Sequence, residues 1–371
     1  MNARSDRSGR AGPAPAETAG PSWWFAVNTL LAILVITLAV AWASVLQVRS
    51  SVVAGADPTS DPASPLTISG VSSLEGGIVG DSVHVGATQR TLIVSFAAAP
   101  MWHTSSRDCL ADIVGMVDWN GQTTWVGARA GHADAVAGSP SSTSAYITGL
   151  GPYCQAGSFA SVDGGLNWSA GSLPGKASAS PAWLAFDPAH PGTLLAVYPD
   201  LVFVSRDSGL TWASRKSAAT PLAFDAAGRL VGWEPGRLLE SSDDGASWQQ
   251  TGVGPVARPA AAGATANGVF LGTGGGLWWY PLTAGPSLVR SGSVFSVATL
   301  GDGAVVLGAD TAGHPWLGTV SSSAPGIDLA TLPPDIASLE ISGGGVAAND
   351  SGAVAAFAGA SSAIASIGFG R

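Results

Sequence analysis

The residue types that most often carry metal or acid–base chemistry are few and scattered in this chain. Its five histidines form no HxH or HExxH pattern: His84, His103, His132, His190 and His314. The nearest approach to a cluster is His132-Ala133-Asp134, which we interpret as a solvated turn. No phosphate-binding loop or dinucleotide fingerprint follows a predicted strand. The sequence therefore predicts no metal site, no cofactor and no catalytic residue of these kinds.

One aspartate-centred phrase occurs three times, in the frame Ser-x-Asp-x-Gly-x-x-Trp. Its fixed positions are Ser161, Asp163, Gly165 and Trp168, then Ser205, Asp207, Gly209 and Trp212, then Ser241, Asp243, Gly245 and Trp248. Such a carboxylate could bind a metal or act as an acid or base. Followed by small residues, however, it accepts hydrogen bonds from backbone N–H groups one to three positions on, and the glycine supplies a positive φ. We interpret the phrases as hairpin turns in which the tryptophan starts the returning strand.

The spacing of these phrases indicates a repeat protein. From Asp163 to Asp207 is 44 residues and from Asp207 to Asp243 is 36 residues, and such a period built on strands and turns is typical of a propeller. The phrase resembles the Asp-box (BNR) repeat of β-propellers, and the chain is closest in character to photosystem II assembly-factor-like and sialidase-like bacterial propellers. The resemblance covers most of the chain after residue 66, with a degraded copy at Asp118–Gly121. It implies that each turn lies on an outer hairpin, away from the central channel where ligands bind.

Strand and turn signals after residue 66 can be divided into seven units. The units are 67–129, 130–175, 180–217, 218–253, 255–291, 293–333 and a last one from 335. The sequence therefore predicts an all-β fold, a β-propeller over 67–371 with seven four-stranded blades, although six or eight blades remain open. A closed ring would shield the strand edges, and stability would come from blade-on-blade packing of the three tryptophans.

The N-terminal region reads as a membrane anchor. Residues 1–21 are predicted to be a disordered cytoplasmic tail, 22–47 contain no charged residue and are predicted to be a transmembrane helix, and 48–66 to be a flexible stalk. Three arginines precede the apolar run and only Arg49 follows it closely, so the positive-inside rule places the N-terminus in the cytoplasm and the propeller outside. A cleaved signal peptide ending near Ala41-Trp42-Ala43 and a buried core helix are the alternatives.

The chain has two cysteines, Cys109 and Cys154. Each lies nine residues before the aspartate of its unit, at Asp118 and Asp163, so they occupy equivalent positions in adjacent units. Outside the cytoplasm, such a pair predicts a disulfide. Two separate buried thiols are the alternative, and a metal pair lacks further ligands at the right spacing.

Composition and residue content bear on function. A formal net charge of −9 argues against nucleic acid as a partner. A sialidase-like glycoside hydrolase would need an arginine triad, a Tyr–Glu pair and an aspartate. The usual Arg-Ile-Pro phrase is missing, and the remaining candidates are Arg90, Arg129, Arg258, Arg290, Glu234 and Tyr198. We therefore expect a membrane-anchored, non-catalytic module that binds a protein, peptide or glycan, with the hydrolase as the alternative. An apolar or mixed channel rim would favour binding, and convergent arginines with paired carboxylates would favour hydrolysis.

Overall fold

The computed structural model describes a defined part of the chain. The described ranges are 50–51, 66–73, 78–98, 111–117, 123–130, 132–150, 156–172, 181–199, 201–349, 352–359 and 363–369. Backbone contacts divide the chain into two units, 1–47 and 48–371, and every described residue lies in the second. The predicted tail 1–21 and transmembrane helix 22–47 lie outside the described ranges and stay predictions. Within those ranges, no helix has the length and apolarity needed to span a membrane.

Most described strands form six antiparallel sheets, each built from four strands that follow one another along the chain. Sheet 1 consists of β3 (Ile78–Ala87), β4 (Leu92–Ala98), β5 (Ala111–Val117) and β6 (Thr123–Ala130). Sheet 2 consists of β7 (His132–Gly138), β8 (Ala145–Leu150), β9 (Ala156–Ser161) and β10 (Ser169–Ala170). Sheet 3 consists of β11 (Trp183–Phe186), β12 (Leu194–Val197), β13 (Val202–Ser205) and β14 (Ala213–Arg215).

The next three sheets follow the same order. Sheet 4 consists of β15 (Thr220–Phe224), β16 (Leu230–Glu234), β17 (Arg237–Ser241) and β18 (Gln249–Val253). Sheet 5 consists of β19 (Ala261–Thr265), β20 (Gly268–Thr273), β21 (Gly276–Pro281) and β22 (Ser287–Ser291). Sheet 6 consists of β23 (Ser293–Leu300), β24 (Gly303–Ala309), β25 (Pro315–Ser321) and β26 (Ile327–Leu329), and the short helix α1 (Pro334–Ala337) follows it.

Sheet 7 joins the two ends of the described chain. It contains β27 (Ile341–Asn349), β28 (Gly352–Gly359) and β29 (Ala363–Phe369), followed by β2 (Leu66–Ser73) and β1 (Ser50–Ser51). β2 runs antiparallel to β29, with Leu66 opposite Phe369 and Ser73 opposite Ala363. A strand from the N-terminal side of the described chain therefore completes the last sheet and ties the two ends of the propeller together.

The first strands of the seven sheets stand side by side around a common centre. β3 contacts β7, and each first strand contacts that of the next sheet up to β27, which contacts β3 again. The ring is thus closed at its centre as well as through sheet 7. The fourth strands, which include the exposed β10, lie at the periphery.

The core lies between neighbouring sheets. β12 shows why: Leu194 and Ala196 pack in a cluster with sheet 2, whereas Leu195 and Val197 pack with residues of sheet 4. Side chains alternate between the two faces of a strand, so both faces of an inner strand are buried only when a sheet stands on each side. Each fully buried leucine or valine stabilises the fold by about 1.5–3 kcal/mol.

The structure corrects several predicted boundaries. The predicted unit 67–129 is too long because its first strand, β2, belongs to sheet 7. The prediction of four strands in every sheet is wrong for sheet 7, which has five. The predicted stalk 48–66 includes Leu66, which starts β2, and Ser50–Ser51, which pairs with β2. The predicted last unit, from 335, starts within α1, and its first strand, β27, begins only at Ile341.

Candidate binding channel

The central channel is lined by the first strands of all seven sheets. One cavity of about 530 Å³ occupies its strand-end mouth, where the first strands end, and a second of about 390 Å³ occupies its strand-start mouth. Seven residues line both cavities: Val85, Val136, Trp183, Leu184, Ala262, Val297 and Val346. The middle of the channel is therefore apolar and is formed mostly by small aliphatic side chains.

Aromatic residues give the channel its largest contact surfaces. Trp183 is half-buried, lines both cavities and packs against Phe224, with ring centroids 5.9 Å apart. Phe295 lies at the strand-start mouth. A half-exposed indole offers an apolar face and a polar N–H, which is the combination found at many binding surfaces.

Polar groups are confined to the mouths. Gln89, Ser141 and Asp225 line the strand-end mouth, and His84 and Arg258 line the strand-start mouth. The carboxylate of Asp225 is engaged by its own turn: Oδ1 accepts from the backbone N–H groups of Ala227 at 3.0 Å and Arg229 at 2.8 Å. Its Oδ2 accepts from Arg229 Nε at 2.7 Å. This aspartate is therefore held as a turn residue rather than presented to a ligand.

The described arginines among the hydrolase candidates do not converge on the channel. Arg258 is exposed at the strand-start mouth, and Arg90 is exposed in the turn after β3. Arg290 lies on the peripheral β22, with its guanidinium carbon 4.9 Å from the ring centroid of Trp316. The side chain of Arg129, on β6, lies outside the described part. The structure thus brings no described pair of them together.

The two candidates for a hydrolase Tyr–Glu pair, Tyr198 and Glu234, each contact other residues. Glu234 lies at the end of β16, with its carboxylate 3.9 Å from the guanidinium of Arg237. Tyr198 follows β12 and packs edge-on against Phe203 at 5.4 Å. The side chains of His132 and Asp134 lie outside the described part. Within the described residues, no group of three His, Cys, Asp or Glu could hold a metal ion.

The three aspartate turns, 161–168, 205–212 and 241–248, connect the third and fourth strands of sheets 2, 3 and 4. In each, the serine hydroxyl donates to the aspartate Oδ1 at 2.7–2.8 Å and accepts from the glycine N–H at 2.7–2.8 Å. The aspartate Oδ1 also accepts from the backbone N–H four residues on at 2.8–2.9 Å. The carboxylate therefore closes the turn on itself, and these residues lie on the periphery rather than in the channel.

The sequence pattern did not reveal the role of two further positions in these turns. The seventh residue is a side-chain donor in every copy, and Asn167, Thr211 and Ser247 donate to the second aspartate oxygen at 2.6–2.7 Å. Their shared polarity was the available signal. The fourth residue is left-handed in all three, including the non-glycine Ser208 (φ 58°) and Asp244 (φ 57°). A left-handed non-glycine residue is strained, and the hydrogen bonds around it hold it there.

Each turn tryptophan packs against the preceding sheet. Trp168 contacts a cluster that includes Ile93 of sheet 1, and Trp248 contacts a cluster from sheets 3 and 4. Trp212 meets Tyr146 of sheet 2 edge-on at 5.6 Å and donates from Nε1 to the carbonyl oxygen of Ser172 at 2.7 Å. The turns therefore position the side chains that join neighbouring sheets.

The hydrogen bonds lower the pKa of all three turn carboxyls. The backbone N–H of Asn167 has the largest effect on the pKa of Asp163, and the hydroxyl of Ser247 lowers the pKa of Asp243 to about 2. At Asp207, burial acts in the opposite direction, but the donors from Thr211 and Ser205 outweigh it and lower the pKa. Donors directed at a carboxylate stabilise its charged form.

The predicted disulfide cannot be placed, because Cys109 and Cys154 lie outside the described part. The degraded phrase at 118–121 lies outside it as well, although Trp125 falls within β6. Both assignments stay predictions.

No known protein family and no curated protein matches the sequence. Solved structures do match. YCF48 bound to a D1 peptide shares 13% identity over 81% of this chain and 96% of that chain, with a TM-score of 0.52. A chain of the mitotic checkpoint complex shares 10% identity over 86% and 100%, with a TM-score of 0.55, and U3-55K shares 14% over 80% and 98%, with a TM-score of 0.53. These neighbours are β-propellers.

The chain is a β-propeller. Its closed ring of sheets and its structural neighbours confirm the all-β propeller fold that the repeats predicted. At identities of 10–14%, the likeness concerns the fold of this propeller.

Gly209→Ala tests how tightly an aspartate turn packs on the preceding sheet. Gly209 has φ +93°, and an added Cβ would lie 2.2 Å from Cε2 of Tyr146. Gly313→Ala is the matched control, since Gly313 has φ +87° and open space around it. We expect the control to lower the free energy of unfolding by about 1–2 kcal/mol and Gly209→Ala by about 2–5 kcal/mol. Urea unfolding followed by circular dichroism measures both, and equal losses would contradict this packing.

Asp243→Asn tests the charge dependence of the turns. Because the folded-state pKa of Asp243, about 2, lies below its ordinary value of 3.8, its carboxylate stabilises the fold above pH 3.8. That contribution is lost as the pH falls through about 2. We expect the stability difference between wild type and Asp243→Asn to be constant from pH 7 to 5 and to shrink between pH 4 and 2. The same scan on Asp302→Asn, at an exposed turn carboxylate, is the control; a pH-independent difference for Asp243→Asn would refute the assignment.

Proposed function

We propose that this chain is a membrane-anchored, extracytoplasmic propeller of the Asp-box type. In this proposal it binds an extended peptide segment of a partner protein in its central channel and does not catalyse a reaction. The observation that carries the proposal is the channel lining: small aliphatic side chains and Trp183 in the middle, with polar groups at the two mouths. Peptide side chains would contact the apolar wall while polar backbone groups reach Gln89 and Ser141 at one end.

A peptide ligand suits this channel better than a sugar acid. A sugar acid needs converging cations, whereas among the described arginines only Arg258 lies at a mouth. An extended peptide carries its own alternation of apolar side chains and backbone polar groups, which matches an apolar passage with polar ends. The neighbour YCF48 was solved with a D1 peptide, which shows that a propeller of similar fold takes a peptide.

The assignment to the Asp-box type rests on the turn geometry. Three turns share one hydrogen-bonding scheme in which a serine, an aspartate and a donor at the seventh position close the loop. The aspartates serve as turn residues on the outer hairpins, in keeping with the resemblance. Their carboxylate oxygens are engaged by donors of the same turn, so a catalytic role for them is disfavoured.

The anchor proposal rests on the sequence of the N-terminal region. The uncharged run 22–47 is long enough to cross a bilayer, and the arginines before it favour an N-terminus in the cytoplasm. Tethering would raise the effective concentration of the propeller near membrane-bound partners. An oxidising compartment would also allow the Cys109–Cys154 disulfide.

Ala262→Arg tests the channel as the peptide site. Ala262 lies on β19 and lines both cavities, so an arginine there would narrow the passage and place a charge against an apolar wall. Peptides selected from a displayed library against the detergent-solubilised full chain supply the ligands, and fluorescence anisotropy measures their affinity. We expect Ala262→Arg to weaken binding by at least about tenfold.

The matched control is Ala246→Arg, at an exposed position of the third aspartate turn. It adds the same side chain at the periphery and is expected to change affinity by no more than about twofold. If Ala262→Arg leaves the peptide affinity unchanged, the binding site lies outside the channel. Turnover of a fluorogenic sialoside that Arg258→Ala abolishes would overturn the non-catalytic assignment.

Carbonate extraction and protease protection test the anchor. We expect the full chain to stay in the membrane pellet at high pH, and a variant lacking 22–47 to be released, because a spanning helix resists extraction. Protease added outside intact cells should digest the propeller, and maleimide should label Cys109 and Cys154 only after reduction. Release of the intact full chain, or protection of the propeller in intact cells, would rule out the proposed topology.

A further inference from the structure

A third cavity lies at the periphery, outside the channel lining. Its volume is about 260 Å³, and it lies between β22 of sheet 5 and the outer part of sheet 6. Arg290 contributes from sheet 5, Trp316 and the Asp310–His314 turn from sheet 6, and Leu329, Leu332 and Ala337 from the segment that leads through α1. None of these residues lines either end of the channel.

Arg290 differs from the other half-buried arginines in lacking an oxygen partner among the described residues. Arg229 contacts Asp225 at 2.7 Å, and Arg215 donates to the carbonyl oxygen of Asp243 at 3.2 Å. Arg290 Nε is buried without an acceptor, and the guanidinium instead lies over Trp316. Stacking on an indole stabilises a cation modestly and fixes its plane, but supplies no hydrogen-bond acceptor to its N–H groups.

Asp310 is the acidic residue in the cavity lining, and its carboxylate is hydrogen-bonded within its own turn. Asp310 Oδ1 accepts from the backbone N–H groups of Ala312 at 2.8 Å and His314 at 3.0 Å. Its Oδ2 lies 3.7 Å from His314 Nδ1, and both side chains line the cavity and are about half exposed. Arg290 therefore has no ion-pair partner among the described residues, and the charge of the half-exposed Asp310 is screened by solvent.

The cavity lining also includes apolar side chains. Leu329 is exposed, with 40% of its surface accessible, and Leu332 and Ala337 line the same cavity. We propose that this cavity binds a small organic acid with a short branched aliphatic chain. The carboxylate would pair with the guanidinium of Arg290, and the aliphatic chain would contact Leu329 and Leu332. Arg favours carboxylates because its planar fork matches their geometry.

Isothermal titration of the detergent-solubilised full chain with isovalerate tests the proposal. We expect saturable binding with a dissociation constant of about 1 mM or tighter. Arg290→Gln should weaken binding about 10- to 100-fold, because it removes a charge-assisted contact. Arg206→Gln is the matched control: Arg206 is exposed and pairs with Asp244 at 2.6 Å, and its loss should change affinity by no more than about twofold.

A second variant leaves Arg290 in place. Ala337→Trp would fill the cavity from α1, where Ala337 is exposed, and should abolish isovalerate binding without removing any charge. 3-Methyl-1-butanol, which has the same branched chain without the carboxylate, should not bind. Ala262→Arg in the channel should leave isovalerate binding unchanged, so the outcome is independent of the proposed peptide function.

Three results would overturn the proposal. They are the absence of saturable isovalerate binding to the wild-type chain, equal binding of the alcohol, and binding that neither Arg290→Gln nor Ala337→Trp reduces. Melting curves of both variants accompany the titrations. If Arg290→Gln unfolds, Ala337→Trp alone decides, because its substitution adds volume at an exposed helix position and leaves the Arg290–Trp316 stack intact.

Discussion

Burial of both faces of every sheet is the constraint on which the rest of this structure depends. In β12, successive residues enter two different cores, one shared with sheet 2 and the other with sheet 4. A sheet with two apolar faces needs a neighbour on each side, and only a ring gives every sheet two neighbours. Pairing of β2 with β29 completes sheet 7, so the strand that closes the ring comes from the beginning of the described propeller.

The convergence of seven first strands also explains the character of the channel. Where strands crowd around one axis, large side chains from every strand cannot fit, and alanine, valine and glycine recur along the wall. Trp183 is the largest side chain that lines both cavities, and with Phe224 it gives the wall an aromatic surface. Polar side chains are left to the mouths, where solvent can reach them. The apolar channel in which we propose a peptide site is therefore a consequence of ring closure.

At the periphery, neighbouring sheets are joined in two ways. Sheets 2 to 4 use the aspartate turns, which hold a tryptophan at the start of the fourth strand and direct it toward the preceding sheet. Between sheets 5 and 6, Trp316 from a third strand packs with Trp279 and Phe270 of sheet 5. The cavity proposed for an organic acid lies beside this second arrangement, at the turn between β24 and β25. The aspartate turns instead connect the third and fourth strands of their sheets.

The sequence by itself determined the turns and the repeat, because their hydrogen bonds join residues no more than four positions apart. The spacing of Ser205, Asp207 and Thr211 is enough to place their hydrogen bonds within one turn. The strands between successive turns follow from apolar runs. Only the tertiary structure decided that β2 belongs to sheet 7, since its partner β29 lies at the other end of the chain. It alone brought Trp183, Ala262 and Val297 together across the channel and set Arg290 of sheet 5 over Trp316 of sheet 6. Contacts between residues distant in sequence leave no local pattern. An apolar side chain fits the alternation of its own strand equally well whichever sheet packs against it, so the sequence does not identify the partner.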